Sequence, residues 1–133
     1  MAKQAINPDS LFDSLQFGFS QIVISQGRRQ VHISGQVAWD ANGDLVGGDD
    51  LRAQTFEAFR NLDTAIRAAG GTLRDIVSLR IYIVERVMAQ SAPVSEALRT
   101  FFPDDPPAST WIGVRTLARE AFLIEIEALA VLD

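Results

Sequence analysis

The segment from Asp49 to Gly71 constrains the fold more than any other part of the chain. It opens with the carboxylates of Asp49 and Asp50, which favour a first helical turn, and it closes at Gly70-Gly71, which favours a helix stop. Between these ends, side chains recur at helical spacing on one face. That face contains Leu51, Thr55, Phe56, Phe59, Leu62 and Ile66. The pattern predicts an amphipathic helix, around which the remaining elements must be arranged.

Two strand patterns precede this helix. Residues 21–25 and 29–37 are rich in β-branched side chains and partly alternate, and Gly27 lies between them at the place of a turn. The sequence Asp40-Ala41-Asn42-Gly43 follows, and Asn-Gly tolerates positive φ at both positions at little cost. We therefore expect two strands and then a chain reversal before the helix.

Strand and helix patterns also alternate after the helix. Residues 75–85 alternate at period two, and a second helix over 88–102 ends in an aromatic pair and a run of prolines. Two further strands are predicted at 109–114 and 122–131. The order β-β-α-β-α-β-β predicts an α+β fold with one mixed sheet and two helices on one of its faces. Residues 1–133 are expected to form a single domain.

Composition excludes several classes of function. The net charge of −5 argues against a nucleic-acid partner, because such partners are held by basic surfaces. The chain has no cysteine, which excludes disulfides, thiol catalysis and Cys-ligated metals and agrees with a reducing compartment. No apolar stretch approaches roughly eighteen residues, and no signal-peptide pattern follows the N-terminus. We expect a cytoplasmic protein without a membrane partner.

Two polar features lie on predicted strands. Glu125 and Glu127 are two residues apart, so both carboxylates point to the same side. This arrangement is compatible with a paired acid and base and equally with a solvent-facing or interface pair that meets arginines. His32 is the only histidine, and no second imidazole or fixed-spacing carboxylate accompanies it. The sequence predicts no metal site, and His32 is expected to be structural or solvent-facing.

Two other short motifs are compatible with a ligand. Ser34-Gly35 leaves a strand before a turn, where a hydroxyl and bare backbone N–H groups are available, although Ser-Gly is also ordinary turn chemistry. Trp111 has the same strand parity as Ser109, so an indole and a hydroxyl share one surface, which core or interface packing also explains. From the residues alone, these remain candidate polar groups and not a catalytic motif.

The order and spacing of several short motifs resemble the reactive-intermediate deaminase (Rid, YjgF-type) family. The resemblance extends from about Phe19 to Val131. The motifs are Ile33-Ser34-Gly35-Gln36, Gln54-Thr55, Asn61-Leu62, Ala68-Ala69-Gly70, the strand Ile76 to Val84, Phe101-Phe102 and Ile124-Glu125-Ile126-Glu127-Ala128.

The resemblance implies a chorismate-mutase-like fold assembled as a homotrimer, with sheets forming a central barrel and a small-molecule pocket at each subunit interface. Archetypal members hydrolyse enamines and imines released by pyridoxal-phosphate enzymes, without a metal or an organic cofactor. Older descriptions of the family mention endoribonuclease activity. We accordingly expect no cofactor and a ligand bound between subunits.

Site residues are carried over position by position. Glu125 matches a glutamate placed to handle the water, and Ser34-Gly35 match the hydroxyl and backbone that line the pocket. The segment Ser109-Thr110-Trp111 occupies the substrate-binding run, in which the archetype has Pro-Ala-Arg-Ser. Phe19 replaces a pocket tyrosine. The resemblance thus implies Glu125 as the catalytic residue and Phe19, Ser34, Gly35, Ser109, Thr110 and Trp111 as substrate-binding residues.

The missing arginine changes the expected substrate. Ser109 follows Pro107-Ala108 where the archetype has the arginine that binds the substrate carboxylate. Loss of such a charge-assisted contact costs on the order of 2 to 5 kcal/mol of binding. The sequence therefore favours a hydrolase of enamines or imines other than simple imino acids. The alternative is a non-catalytic trimer whose pocket binds a regulatory metabolite.

Overall fold

The computed structural model describes residues 2–133 and confirms the α+β class and the mixed sheet. Its main sheet has four strands, and its two longer helices pack with that sheet around one hydrophobic core. The strands are β1 (Ala2–Ile6), β2 (Ile22–Gln26), β3 (Arg29–Gln36), β4 (Ile76–Val84), β5 (Ala108–Val114) and β6 (Ile124–Leu132). The helices are α1 (Leu51–Ala68), α2 (Glu85–Met88) and α3 (Ala92–Phe101), with 3₁₀ turns at Ser14–Phe17 and Leu73–Asp75.

Helix α1 follows the predicted pattern closely. Asp50 caps its N-terminus by accepting a hydrogen bond from the Ala53 amide. After the helix ends, Gly70 takes a φ of 90°, and the Gly71 amide bonds back to the Ile66 carbonyl. This Schellman arrangement needs a left-handed residue, which glycine supplies without steric cost. The predicted face is buried apart from Phe56, which is half-buried, and Phe59 and Leu62 have no exposed surface.

The main sheet has the strand order β3-β6-β4-β5, in which β4 and β5 run parallel and the other pairs are antiparallel. Alternation on β4 and β6 directs Ile81, Ile83 and Ile126 into the core, as predicted. The side chains between them face away from the helices. One face of the sheet therefore packs against the helices and forms part of the core. The other face, here called the outer face, is not covered by helices.

Three details of the predicted order need correction. An additional strand, β1, pairs antiparallel with β2 in a separate two-stranded sheet, so the first predicted strand lies outside the four-stranded mixed sheet. The second helix begins at Ala92, since α2 forms its own short turn after β4. Strand β1 is held by long-range contacts that periodicity does not reveal, such as the Lys3 ammonium donating to the carbonyls of Arg74 and Ile76.

The aromatic pair at the end of α3 joins the two long helices. Phe101 stacks on Phe59 at 5.3 Å between ring centroids, and Phe102 meets the same ring edge-on at 5.9 Å. Such pairs add to the free energy gained by apolar burial. Both helices are thereby fixed against the same face of the sheet, which leaves the outer face and the edge of β5 available. No helix within residues 2–133 is long and apolar enough to cross a membrane.

Candidate functional site

Strand register places a row of polar side chains on the outer face. Glu125 of β6 lies opposite Tyr82 of β4, and Glu127 lies opposite Arg80. The Tyr82 hydroxyl donates a hydrogen bond to the Glu127 carboxylate, which raises the pKa of Tyr82. Arg80 lies 3.7 Å from the same carboxylate. The two glutamates therefore differ, because Glu127 has partners within the chain, whereas no side-chain hydrogen bond or ion pair within residues 2–133 engages Glu125.

The Ser34-Gly35 motif forms an irregularity in strand β3. The pairing of β3 with β6 shifts by one residue between Ile33 and Gln36, which is the signature of a β-bulge. At the bulge, Gly35 lies against Glu125. A Cβ on Gly35 would lie 2.7 Å from the Glu125 Cγ, closer than such atoms can approach. The glycine thus leaves the space that the Glu125 side chain occupies, and we call Ser34, Gly35, Tyr82, Glu125 and Glu127 the carboxylate face.

A shallow hollow of about 270 Å³ lies beside the carboxylate face. Ser34, Arg80 and Glu127 line it, together with the exposed His32. No group of three or more His, Cys, Asp or Glu side chains within residues 2–133 is arranged to hold a metal ion. His32 is thus an exposed strand residue. The hollow is polar and open, so a ligand in it would be enclosed only if another molecule covered this face.

A second cavity, of about 310 Å³, lies at the edge of β5. Phe17, Phe19, Ser109 and Trp111 line it, and we call these four residues the aromatic pocket. The Trp111 indole N–H donates a hydrogen bond of 2.9 Å to the Ser109 hydroxyl, in agreement with their common strand parity. The Phe19 and Trp111 rings lie 6.5 Å apart. None of the four side chains carries a charge.

Phe17 was not among the residues predicted from sequence. It ends the 3₁₀ turn Ser14–Phe17, and Gly18 follows it with a φ of 91°. This left-handed glycine reverses the chain between two aromatic residues and brings Phe17 to the same pocket as Phe19. Phe17 also stacks on Phe12 at 5.6 Å. The Phe-Gly-Phe sequence is the signal that could have identified it.

The predicted site residues fall into two groups on opposite faces of the sheet. Ser109 and Trp111 of β5 pair with Leu79 and Ile81 of β4. They therefore point to the same side of the sheet as these two core residues. Thr110 lies between them and points to the outer face with Arg80. Strand β4 separates β5 from β6, so the two strands lie about 10 Å apart. Within one chain, Glu125 therefore does not meet a ligand held in the aromatic pocket.

Comparison with known proteins shows similarity over nearly the whole chain. Residues 14–132 match the family model described as Endoribonuclease L-PSP. A Yersinia pestis protein of unknown function from the conserved Rid protein family is 46% identical, with a TM-score of 0.94 over 99% of this chain and 100% of that one. A second Yersinia pestis protein with that description is 29% identical, with a TM-score of 0.71 over 98% and 100%. A Mycobacterium tuberculosis member of the YjgF/YER057c/UK114 family is 27% identical, with a TM-score of 0.68 over 98% and 100%.

Proposed function

Since this chain belongs to the Rid/YjgF family, whose model is described as Endoribonuclease L-PSP, we propose that it hydrolyses an enamine or imine to a carbonyl compound and ammonia. The observation that carries the proposal is the Glu125 carboxylate, which lies against a bulged glycine and has no hydrogen-bond or ion-pair partner within residues 2–133. A carboxylate held in this way is available to a water molecule and a substrate. Its neighbour Glu127 is already engaged by Tyr82.

The proposed reaction assigns roles to three members of the carboxylate face, Glu125, Ser34 and Gly35. Glu125 accepts a proton from water as the water oxygen attacks the imine carbon, which gives a carbinolamine. The Glu125 carboxylic acid passes this proton to nitrogen, which completes the neutral carbinolamine. The Glu125 carboxylate then takes the hydroxyl proton of the carbinolamine and transfers it to the amino nitrogen as the C–N bond breaks, so ammonia leaves and the carbonyl forms. The Ser34 hydroxyl and the Gly35 N–H hold the substrate beside the water. All atoms balance with water as the only co-substrate.

The proposed site is completed by a second copy of the chain in a homotrimer. Glu125 and the aromatic pocket face opposite sides of the sheet, so one ligand can contact both only if they come from different subunits. Phe17 is 41% exposed and Phe12 is 61% exposed, so an apolar surface beside the pocket is available for such an interface. The ligand is then enclosed between the aromatic pocket of one subunit and the carboxylate face of the next.

The substrate is proposed to differ from the simple imino acids. Ser109 provides a hydroxyl where a carboxylate ligand would need a fixed positive charge, and all four lining residues are uncharged. Transfer of a carboxylate into such surroundings without a counter-charge is strongly unfavourable. The endoribonuclease activity in the family's description is not proposed here, because the chain has a net charge of −5 and Glu125 and Glu127 would repel phosphates.

The decisive test is ammonia release from imines formed in the reaction mixture. A flavin-dependent amine oxidase acting on an arylalkylamine supplies a neutral imine, and an amino-acid oxidase supplies a carboxylated one. We expect the protein to accelerate hydrolysis of the neutral imine, and Glu125→Gln to reduce the acceleration by about 100-fold or more. Glu127→Gln is the matched control and should retain most of the activity.

The same assay distinguishes the enzymatic proposal from a second candidate function, metabolite binding without conversion. The replacement of the arginine position by Ser109 equally suits a trimer that binds a metabolite without converting it. In that case neither imine is hydrolysed faster than in buffer, and Glu125→Gln changes only the affinity for a ligand. Equal acceleration by wild type and Glu125→Gln would contradict the enzymatic proposal.

A further inference from the structure

The aromatic pocket contains one hydroxyl, that of Ser109, whose hydrogen-bonding capacity is only partly used. Tryptophan N–H is a donor only, so in the bond between Trp111 and Ser109 the serine oxygen is the acceptor. A serine hydroxyl has a second capacity, its own proton. Within residues 2–133, no group accepts that proton from Ser109. The Ser109 O–H is therefore free to donate to a molecule in the cavity.

The bond from Trp111 also affects the strength and the direction of this donor. A hydroxyl that accepts one hydrogen bond becomes a stronger donor in the next, because successive bonds polarise each other. The indole occupies one lone pair of the Ser109 oxygen and restricts where the O–H can point. Trp111 is in turn held by packing on the core cluster and by the Phe19 ring. It acts on Ser109 as a positioning residue.

We propose that the aromatic pocket binds an uncharged, flat molecule through a carbonyl oxygen or imine nitrogen that accepts a hydrogen bond from Ser109. This inference rests on the proposed function only for the placement of the substrate in the aromatic pocket. It adds the chemical class of that substrate. The Phe17, Phe19 and Trp111 rings contact the flat body of the ligand. The cavity of about 310 Å³ is at the low end of the range for small-molecule sites, which favours a ligand with a single ring.

Two charged alternatives fit the pocket less well. A carboxylate would lie among four uncharged side chains without a cation to neutralise it. An ammonium group is attracted by aromatic faces, but it accepts no hydrogen bond, so the Ser109 proton would stay without a partner. A neutral acceptor satisfies the hydroxyl and the three rings together.

The test uses acetophenone labelled with ¹³C at the carbonyl as a neutral probe, with benzoate and phenyltrimethylammonium as charged probes of similar size. Isothermal titration of the intact protein measures affinity, and infrared difference spectroscopy measures the carbonyl stretch of bound acetophenone. We expect acetophenone to bind more tightly than either ion, and its carbonyl stretch to shift to the lower frequency of a hydrogen-bonded ketone.

Variants separate the donor from the residue that positions it. Ser109→Ala should weaken acetophenone binding about three- to tenfold, the effect of one neutral hydrogen bond, and should abolish the infrared shift. Trp111→Phe keeps a ring and removes the indole N–H, so the shift should become smaller and broader while binding weakens less. Ser91→Ala and Trp39→Phe are matched controls elsewhere in the fold and should leave both measurements unchanged.

Tighter binding of benzoate or phenyltrimethylammonium, no detectable binding of acetophenone, or an unchanged carbonyl stretch in Ser109→Ala would each overturn this inference. The proposed hydrolysis fails on a different observation. If acetophenone binds through Ser109 while no imine is hydrolysed faster, the pocket assignment stands and the enzymatic proposal falls. If Glu125-dependent hydrolysis occurs but Ser109 contributes nothing to acetophenone binding, the enzymatic proposal stands and the pocket assignment falls.

Discussion

At the scale of single residues, the position of the Glu125 carboxylate depends on the absence of a side chain at Gly35. Gly35 has no side chain, and the Glu125 side chain fills the space where one would be. The φ of Gly35 does not lie in the left-handed region, so an alanine could adopt the same backbone conformation there. The glycine at this position is thus explained by the close approach of Glu125 and not by backbone strain.

Gly35→Ala should displace the Glu125 carboxylate without unfolding the protein. The new Cβ would lie 2.7 Å from the Glu125 Cγ, so the flexible glutamate must take another rotamer. We expect a stability loss of about 1 to 3 kcal/mol and loss of any Glu125-dependent activity. Urea denaturation of Gly35→Ala in the Glu125→Ala background is the control, since the stability loss should largely disappear there. A cost that is the same in both backgrounds would show that Glu125 is not the group that Gly35 accommodates.

Sequence could predict which site residues share a side of one strand, and it could not predict which residues meet across strands. Strand parity alone brings Trp111 to Ser109, and the structure adds only their hydrogen bond. The bond between Tyr82 and Glu127 depends on the register of β4 with β6, which residue types do not specify. For the same reason, the different surroundings of Glu125 and Glu127 became visible only in the folded chain.

At the scale of elements, a buried glutamine joins α1 to two loops. The Gln54 amide donates to the carbonyls of Gly48 and Ala121 at 2.7 and 2.9 Å, and its oxygen accepts from the Leu123 amide at 2.9 Å. Gln54 has no exposed surface. These bonds fix the loop before α1 and the start of β6, the strand that carries Glu125.

Gln54→Leu should be among the more destabilising substitutions in α1. Leucine fills a similar volume but leaves the Leu123 amide buried without a partner and deprives two carbonyls of theirs. Only the bond of the Leu123 amide is fully buried, and the two carbonyls are partly accessible to water. One unsatisfied buried group costs about 1 to 3 kcal/mol, so with a smaller cost for the carbonyls we expect a total loss on the order of 2 to 4 kcal/mol in the free energy of unfolding. Gln90→Leu, the same change at an exposed position, should cost little. Similar midpoints in urea for both variants would contradict the structural role of Gln54.

The elements that sequence predicted well are those whose signal is local. Helix α1 combines an N-cap, an apolar face and a glycine stop, and each of these can be found within a short window. Strand β1 has no such signal, because its stability comes from pairing with β2 and from Lys3 reaching carbonyls more than seventy residues away. The separation of β1 and β2 from the main sheet is likewise a long-range property that periodicity does not contain.

At the scale of the whole molecule, the two halves of the candidate site are not in contact within one chain. The aromatic pocket lies at the edge of β5, and the carboxylate face lies on the other side of the sheet, two strands away. Several large apolar side chains between residues 11 and 24 are 40% to 61% exposed and suit contact with another subunit: Leu11, Phe12, Leu15, Phe17, Ile22 and Ile24. Among them, Phe17 lines the pocket and Phe12 stacks on it. A symmetric ring in which each pocket faces the next subunit's carboxylates would bury this surface and complete every site.

Mixed assemblies of two inactive variants should recover activity if each site is shared between subunits. Glu125→Gln removes the candidate base, and Ser109→Glu places an anion in the aromatic pocket, so each variant alone should be inactive. In a ring assembled from equal amounts of both, a site is intact when an unchanged pocket meets an unchanged carboxylate, which occurs at about one quarter of the sites. Co-expression followed by imine hydrolysis assays measures this recovery, and light scattering checks for a particle three times the 14.6 kDa subunit mass. A site built within one chain predicts no recovery of activity, because every subunit then carries one defect. The control is a mixture of the two variants that were assembled separately and do not exchange subunits, which should stay inactive.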